Sequence, residues 1–140
     1  DLFLMLAAAA HTEHFPYVRR ELKVHQLHDE KARELFIALE EAFRNEENDL
    51  EAIATRTEND ELKELIFSKA VSEEFAINAE KIIKDGVRTV KIRNLEERRR
   101  EVRGEMRRLE KEGTEAEKRR ELLSEKMYID EELNRLKGSA

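Results

Sequence analysis

Residues 72–113 carry an amphipathic period too long for one small core. Phe75, Ala79, Ile82, Ile83, Val87 and Val90 recur at three- and four-residue steps, and Leu95, Val102, Met106 and Leu109 continue the stripe to Gly113. Ser72 is placed to cap a helix start, with Glu73 and Glu74 following where a helix N-terminus favours carboxylates. A helix of about 40 residues spans roughly 60 Å at 1.5 Å per residue, more than the diameter of a small domain. Its two ends therefore cannot bury themselves in one core. Up to Ile92 the stripe is broad and aliphatic; beyond Asn94 it narrows, and Arg and Glu fill the remainder. The expected fold is all-α: a multi-helix bundle over 1–92, and a long spine helix that leads into a C-terminal antiparallel helical hairpin over 93–140.

The hairpin is expected from local signals. Gly113 can take the left-handed conformation that closes a helix, and Thr114-Glu115-Ala116-Glu117 reads as a capping box opening the next one. The return arm carries Leu122, Leu123, Met127, Ile129, Leu133 and Leu136 at helical spacing. Folding about Gly113 and Thr114 sets Val102 near Ser124 and Leu95 near Glu132. Leu123, Met127 and Tyr128 cannot all face the first arm together with Ile129. An exposed apolar set on an appendage points to a docking surface.

The chain before the spine reads as about five short helices. Leu2 to Ala10 is apolar nearly all round, as a helix buried on most sides should be. No basic residue precedes it, as a signal peptide requires, and it is far shorter than the roughly 20 residues that span a bilayer. The run starts directly after Asp1 with no initiator Met, which suggests a piece of a larger protein. Pro16 suits the first turn of a short helix to about Val24, with Tyr17 or Val18 and Leu22 inward. Asp29 caps Glu30 to Arg44, with Ala32, Leu35, Phe36, Leu39 and Phe43 on one face. Asn48 with Glu51 forms a capping-box pattern before Leu50 and Ile53. A start within Thr57 to Asp60 leads into Leu62, Leu65, Ile66 and Val71. Nothing alternates with period two over a useful length.

Charge and residue types exclude more than they select. Residues 1–93 hold 14 Lys and Arg against 20 Asp and Glu, and residues 94–140 hold 13 against 13. Neither part shows the basic excess of a nucleic-acid-binding domain. Cysteine is absent, which removes disulfides and thiolate metal sites. His11-x-x-His14 and His25-x-x-His28 place imidazoles at metal-ligand spacing, yet both pairs fall at helix junctions with no third ligand fixed by spacing. No Gly-rich phosphate loop or nucleophile motif occurs. No catalytic residue, cofactor or metal is expected. The basic cluster Arg98, Arg99, Arg100, Arg103, Arg107 and Arg108 interleaves with Glu96, Glu97, Glu101 and Glu105, spacing that favours ion pairs along one helix surface.

Leu2-Phe3-Leu4-Met5-Leu6, Leu35-Phe36, Glu121-Leu122-Leu123 and Glu131-Glu132-Leu133-Asn134-Arg135-Leu136-Lys137, in a chain of short helices, a spine and a terminal hairpin, resemble the C-terminal helicase-binding domain of bacterial DNA primase (DnaG type). The resemblance implies that residues 1–92 correspond to a subdomain similar to the N-terminal domain of the replicative helicase. It implies that residues 93–140 attach to that DnaB-type helicase at its N-terminal collar, in the cytoplasm and without membrane or direct nucleic-acid contact. The outward and terminal positions of the last helix, Leu123, Met127, Tyr128, Glu132, Arg135 and Leu136, are the expected contact residues, by the preference of interfaces for aromatic, Met and Arg side chains. A helical adaptor or coiled-coil module with an unrelated partner, and a salt-sensitive nucleic-acid-binding appendage, are the alternatives.

Gly86 and Gly104 lie inside the spine, where each costs about 1 kcal/mol relative to alanine. Gly86, after Asp85, is a place where the helix could bend or break between bundle and arm, but a helix continuous through it is the favoured reading. A helix continuous through it would let the hairpin reach a neighbouring molecule and form a swapped homodimer.

Overall fold

The computed structural model describes residues 1–71, 73–113 and 115–138. The caps expected at Ser72 and Thr114, and the side chains of Glu73 and Glu74, lie outside the described residues. Among the described residues the chain is all-α: α1 (Leu2–Ala10), α2 (Phe15–Glu21), α3 (Glu30–Arg44), α4 (Leu50–Thr55), α5 (Asp60–Ala70), α6 (Glu73–Glu112) and α7 (Ala116–Gly138). Short 3-10 turns occupy Thr12–His14 and Val24–Gln26, and no strand is present among those residues. The chain divides into two compact units, Asp1–Val90 and Lys91–Ala140, with the boundary inside α6.

In the first unit, α1 is the central element. Its Leu4, Met5, Leu6, Ala7, Ala8 and Ala9 are all buried, and it packs against α3 and α5. The apolar run is thus accounted for by packing on most of its sides, with Phe3 at 42 % exposure as the exception. Asp1 does not cap its own helix; its carboxylate accepts the His28 N–H at 2.6 Å, tying the start of α1 to the loop before α3. Asp29 caps α3 by accepting the Ala32 N–H at 3.0 Å, and Ala32, Leu35, Phe36, Ala38, Leu39 and Ala42 point inward. Asn59 caps α5 in the same way through the Leu62 N–H, and Leu62 and Ile66 are buried.

Several expectations need correction. Asp49 caps α4, accepting the Ala52 N–H at 3.1 Å; Asn48 sits one residue upstream, where its carbonyl accepts the Thr12 hydroxyl at 3.3 Å. Helix α2 stops at Glu21 because Leu22 turns extended, which drives its side chain into the core. Phe43 lies at the edge of the α3 stripe and is 42 % exposed, with the Arg19 guanidinium 4.5 Å above its ring. Val71 falls beyond the end of α5 and is 85 % exposed.

Helix α6 is not bent at Gly86. Its non-helical residue is Asn78, at φ −122° and ψ 23°. Phe75, Ala79, Ile83, Val87 and Val90 join the first core. Gly86 has a packing reason instead: a Cβ there would sit 3.0 Å from Leu4 Cδ1 and 3.1 Å from Leu4 Cβ. The missing side chain lets α1 and α6 approach closely.

The second unit is narrower. Val102, Leu109, Leu122, Ile129 and Leu133 form its core, with Ile92, Leu95 and Met106 partly buried against it. Gly113 adopts φ +64°, and its N–H donates to the Leu109 carbonyl at 3.0 Å, closing α6. Helix α7 runs back along α6, as the ion pairs between the two helices show. Arg98 grips Glu125 with two hydrogen bonds of 2.6 and 2.8 Å, Arg99 reaches Asp130 at 3.3 Å, and Lys137 pairs with Glu96 at 2.7 Å.

Candidate functional site

Helix α7 turns one side to its core and leaves the other uncovered. Leu122, Ile129, Leu133 and Leu136 recur on the buried side. Leu123, Met127 and Tyr128 are 48 %, 62 % and 61 % exposed. At roughly 100° per residue, Leu123 and Met127 share one flank a turn apart, and Tyr128 stands about a quarter-turn away, in line with Arg135 two turns on. The outward face therefore presents two rows, aliphatic Leu123 and Met127 beside Tyr128 and Arg135.

The other expected contact residues are distributed differently. Arg135 is exposed and pairs with Glu132 on its own helix, its Nε donating at 3.1 Å. That hydrogen bond, with a smaller pull from Lys91, holds the Glu132 carboxyl below the usual carboxylate range. Leu136 is not outward; at 7 % exposure it belongs to the buried side of α7. The helical step from Ile129 and Leu133 carries the signal for that burial, because three and seven residues on from a core position return to the same face.

The arginine cluster also departs from expectation. Arg98 pairs with Glu101 on its own helix at 3.1 Å, but its bidentate partner is Glu125 on α7. Arg99 likewise crosses to Asp130, which Lys126 shares at 2.9 Å. The Glu125 carboxyl is lowered by its hydrogen bond from Arg98, and that of Asp130 by Lys126 first and Arg99 second. Same-helix spacing predicted the first kind of contact only, because the cross-helix partners depend on where the chain reverses.

A hollow of about 230 Å³ is lined by Phe15, Leu39, Phe43 and Ile53, with Glu13 and Glu47 as its titratable groups. Glu47 is engaged by Arg56, whose Nε donates at 3.0 Å. Glu13 lies 3.3 Å from His11 and 3.9 Å from His14. Among the described residues no three His, Cys, Asp or Glu side chains could hold a metal ion, and no helix is long and apolar enough to cross a membrane.

No family model and no solved structure matches the chain. A DNA primase of Treponema pallidum (strain Nichols) is 37% identical over 140 residues, which is 99% of this chain. The chain spans only 23% of that primase's length. With every element of the two units inside the aligned region, the chain matches, over its whole length, a segment of a DnaG-type DNA primase.

Proposed function

We infer that this segment is the part of a primase that binds the replicative helicase, with the outward face of α7 as the docking surface. Support comes from one observation above all. In a unit with a small core, Leu123, Met127 and Tyr128 remain about half to two-thirds exposed, and Met and Tyr are residue types that interfaces favour. Arg135 extends the row with a cation suited to the rim. Glu132 orients Arg135 through their ion pair, and Leu136 supports the face from beneath. The partner is the N-terminal domain of a DnaB-type helicase, and the segment holds the parent enzyme, a DNA-directed RNA polymerase making primers, at the cytoplasmic replication fork. The bundle, similar to that helicase domain, acts as the platform.

Binding of the chain to a purified replicative helicase, with and without residues 94–140, tests this reading. Binding is expected for the whole chain and lost on the deletion. Tyr128→Ala and Leu123→Asp in the intact chain should each weaken it at least tenfold, since central interface anchors cost upward of about 1.4 kcal/mol. Binding that survives the deletion moves the contact to residues 1–93 and overturns the assignment of α7.

A further inference from the structure

On the far side of α6 from its core, Arg100, Arg103, Arg107 and Lys111 step by three and four residues, and all four are exposed. At 1.5 Å per residue they form a stripe roughly 16 Å long. Among the described residues no ion pair within 4 Å holds any of them, although the charge of Arg100, after the Lys137 hydrogen bond, helps lower the Glu96 carboxyl. Arg98 and Arg99, on the flanks of the seam, instead pair with Glu125 and Asp130 of α7. Gly104 sits within this stripe, four residues after Arg100 and three before Arg107. A Cβ at Gly104 would meet nothing within 4 Å. The packing reason that accounts for Gly86 is therefore missing, while a glycine in a helix interior still costs about 1 kcal/mol against alanine. A notch with no internal use, ringed by unpaired cations, suits a backbone or side chain arriving from outside.

We propose that Arg100, Arg103, Gly104, Arg107 and Lys111 form a second docking surface, which takes an acidic helix of a protein partner laid across the Gly104 notch. Charge complementarity selects the acidic character. The borders of the stripe select a protein over a nucleic acid. Glu97 and Glu101 line one side, Glu110 the other, and Glu96 stands in the row itself one turn before Arg100, whose charge adds to that of Lys137 in lowering its carboxyl. A continuous run of phosphates would therefore meet carboxylates at both edges and at one end. A helix with carboxylates one turn apart places them between those edges, over the guanidinium groups, which bind carboxylates in a planar fork. The residues 94–140 carry no net positive charge, and this face offers no aromatic ring on which bases could stack. The surface lies on α6, apart from the α7 face assigned above, and stands whether or not that face binds a helicase.

The test is an NMR titration of the whole chain with a synthetic helical peptide carrying glutamates along one side. The same peptide with glutamines and a single-stranded oligonucleotide serve as the other arms. Shifts centred on residues 100–111 are expected with the glutamate peptide alone. Arg103→Gln with Arg107→Gln should weaken binding about fivefold, by the loss of two exposed charge contacts. Gly104→Ala gives the sharper readout: it should raise thermal stability while weakening the peptide, a pairing that damage to the fold cannot produce. No shifts at 100–111 at millimolar peptide, or equal binding by Gly104→Ala, overturns the proposal. Stronger and salt-steep binding of the oligonucleotide at the same residues also overturns it, in favour of a nucleic-acid surface.

Discussion

The two units solve the same packing problem with different means. In the first, short helices surround α1, and its core takes in α1, α2, α3, α4, α5 and the first half of α6. Side chains there are enclosed from several directions, and ion pairs such as Arg19 with Glu40 and Lys31 with Glu61 join helices that the core already holds. In the second, two helices meet along one seam whose core is Val102, Leu109, Leu122, Ile129 and Leu133. A single seam leaves most of each helix in water, so ion pairs such as Arg98 with Glu125 carry a larger share of the register. A narrow seam depends on what flanks it. The same economy explains why the exposed apolar residues of α7 have nowhere to go within their own unit.

That contrast predicts effects of graded size. Leu35→Ala removes a side chain that is fully enclosed in the first core and should cost about 2–5 kcal/mol in chemical denaturation. Leu133→Ala should cost a similar amount locally, yet register in hydrogen exchange as lost protection in α7 with α1 and α3 unchanged. Uniform loss across both units would show that they do not unfold separately. Next, Gly86→Ala should destabilise by about 1–3 kcal/mol despite the better helix propensity of alanine, because Leu4 approaches through its Cβ and cannot swing aside. An unchanged or raised melting temperature would mean that α1 and α6 are not held this closely.

Acid should separate the units further. Glu96, Glu125 and Asp130 are each held below their ordinary carboxylate values by hydrogen bonds from Lys137, Arg98 and Lys126 respectively. A depressed folded-state pKa contributes stability that is present above the unfolded value of about 4. It is lost as pH falls through the lower folded values. Protection of α7 should therefore fall below about pH 4 before that of α1, with salt at neutral pH producing a weaker version of the same ordering. The first unit has lowered carboxylates of its own, Glu40 by Arg19, Glu80 by Lys84 and Asp85 by Lys81, so α3 and the start of α6 serve as internal controls against α1. The smallest effect is Gly104→Ala, expected to stabilise by up to about 1 kcal/mol, since nothing lies within 4 Å of the added methyl group.

Local chemistry made much of this fold readable. Asp29 is a strong cap before a clear apolar period, and the observed α3 begins at Glu30 and ends at Arg44. Gly113 marks the end of α6 because few other residues tolerate its φ of +64°. Leu123, Met127 and Tyr128 were legible as a surface from the clash of their positions with Ile129 on one helix. Where two readings were locally equal, the chain alone could not choose. Asn48 and Asp49 are both competent caps, and in the fold it is the Asp49 carboxylate that accepts the Ala52 N–H, while the Asn48 carbonyl takes the Thr12 hydroxyl.

By itself, the sequence determined the all-α class, the length of the spine, its change from broad to narrow stripe, and the point of chain reversal. These follow from periodicity and backbone preference, which act over a few residues. Only the tertiary structure decided that Gly86 is a contact with Leu4 and not a bend, that Asn78 departs from helical geometry instead, and that Leu136 is buried. It also decided that Arg98 and Arg99 reach across to α7 and leave Arg100, Arg103 and Arg107 unpaired among the described residues. Each of these depends on which distant side chain occupies the neighbouring space, and spacing within one helix carries no record of that.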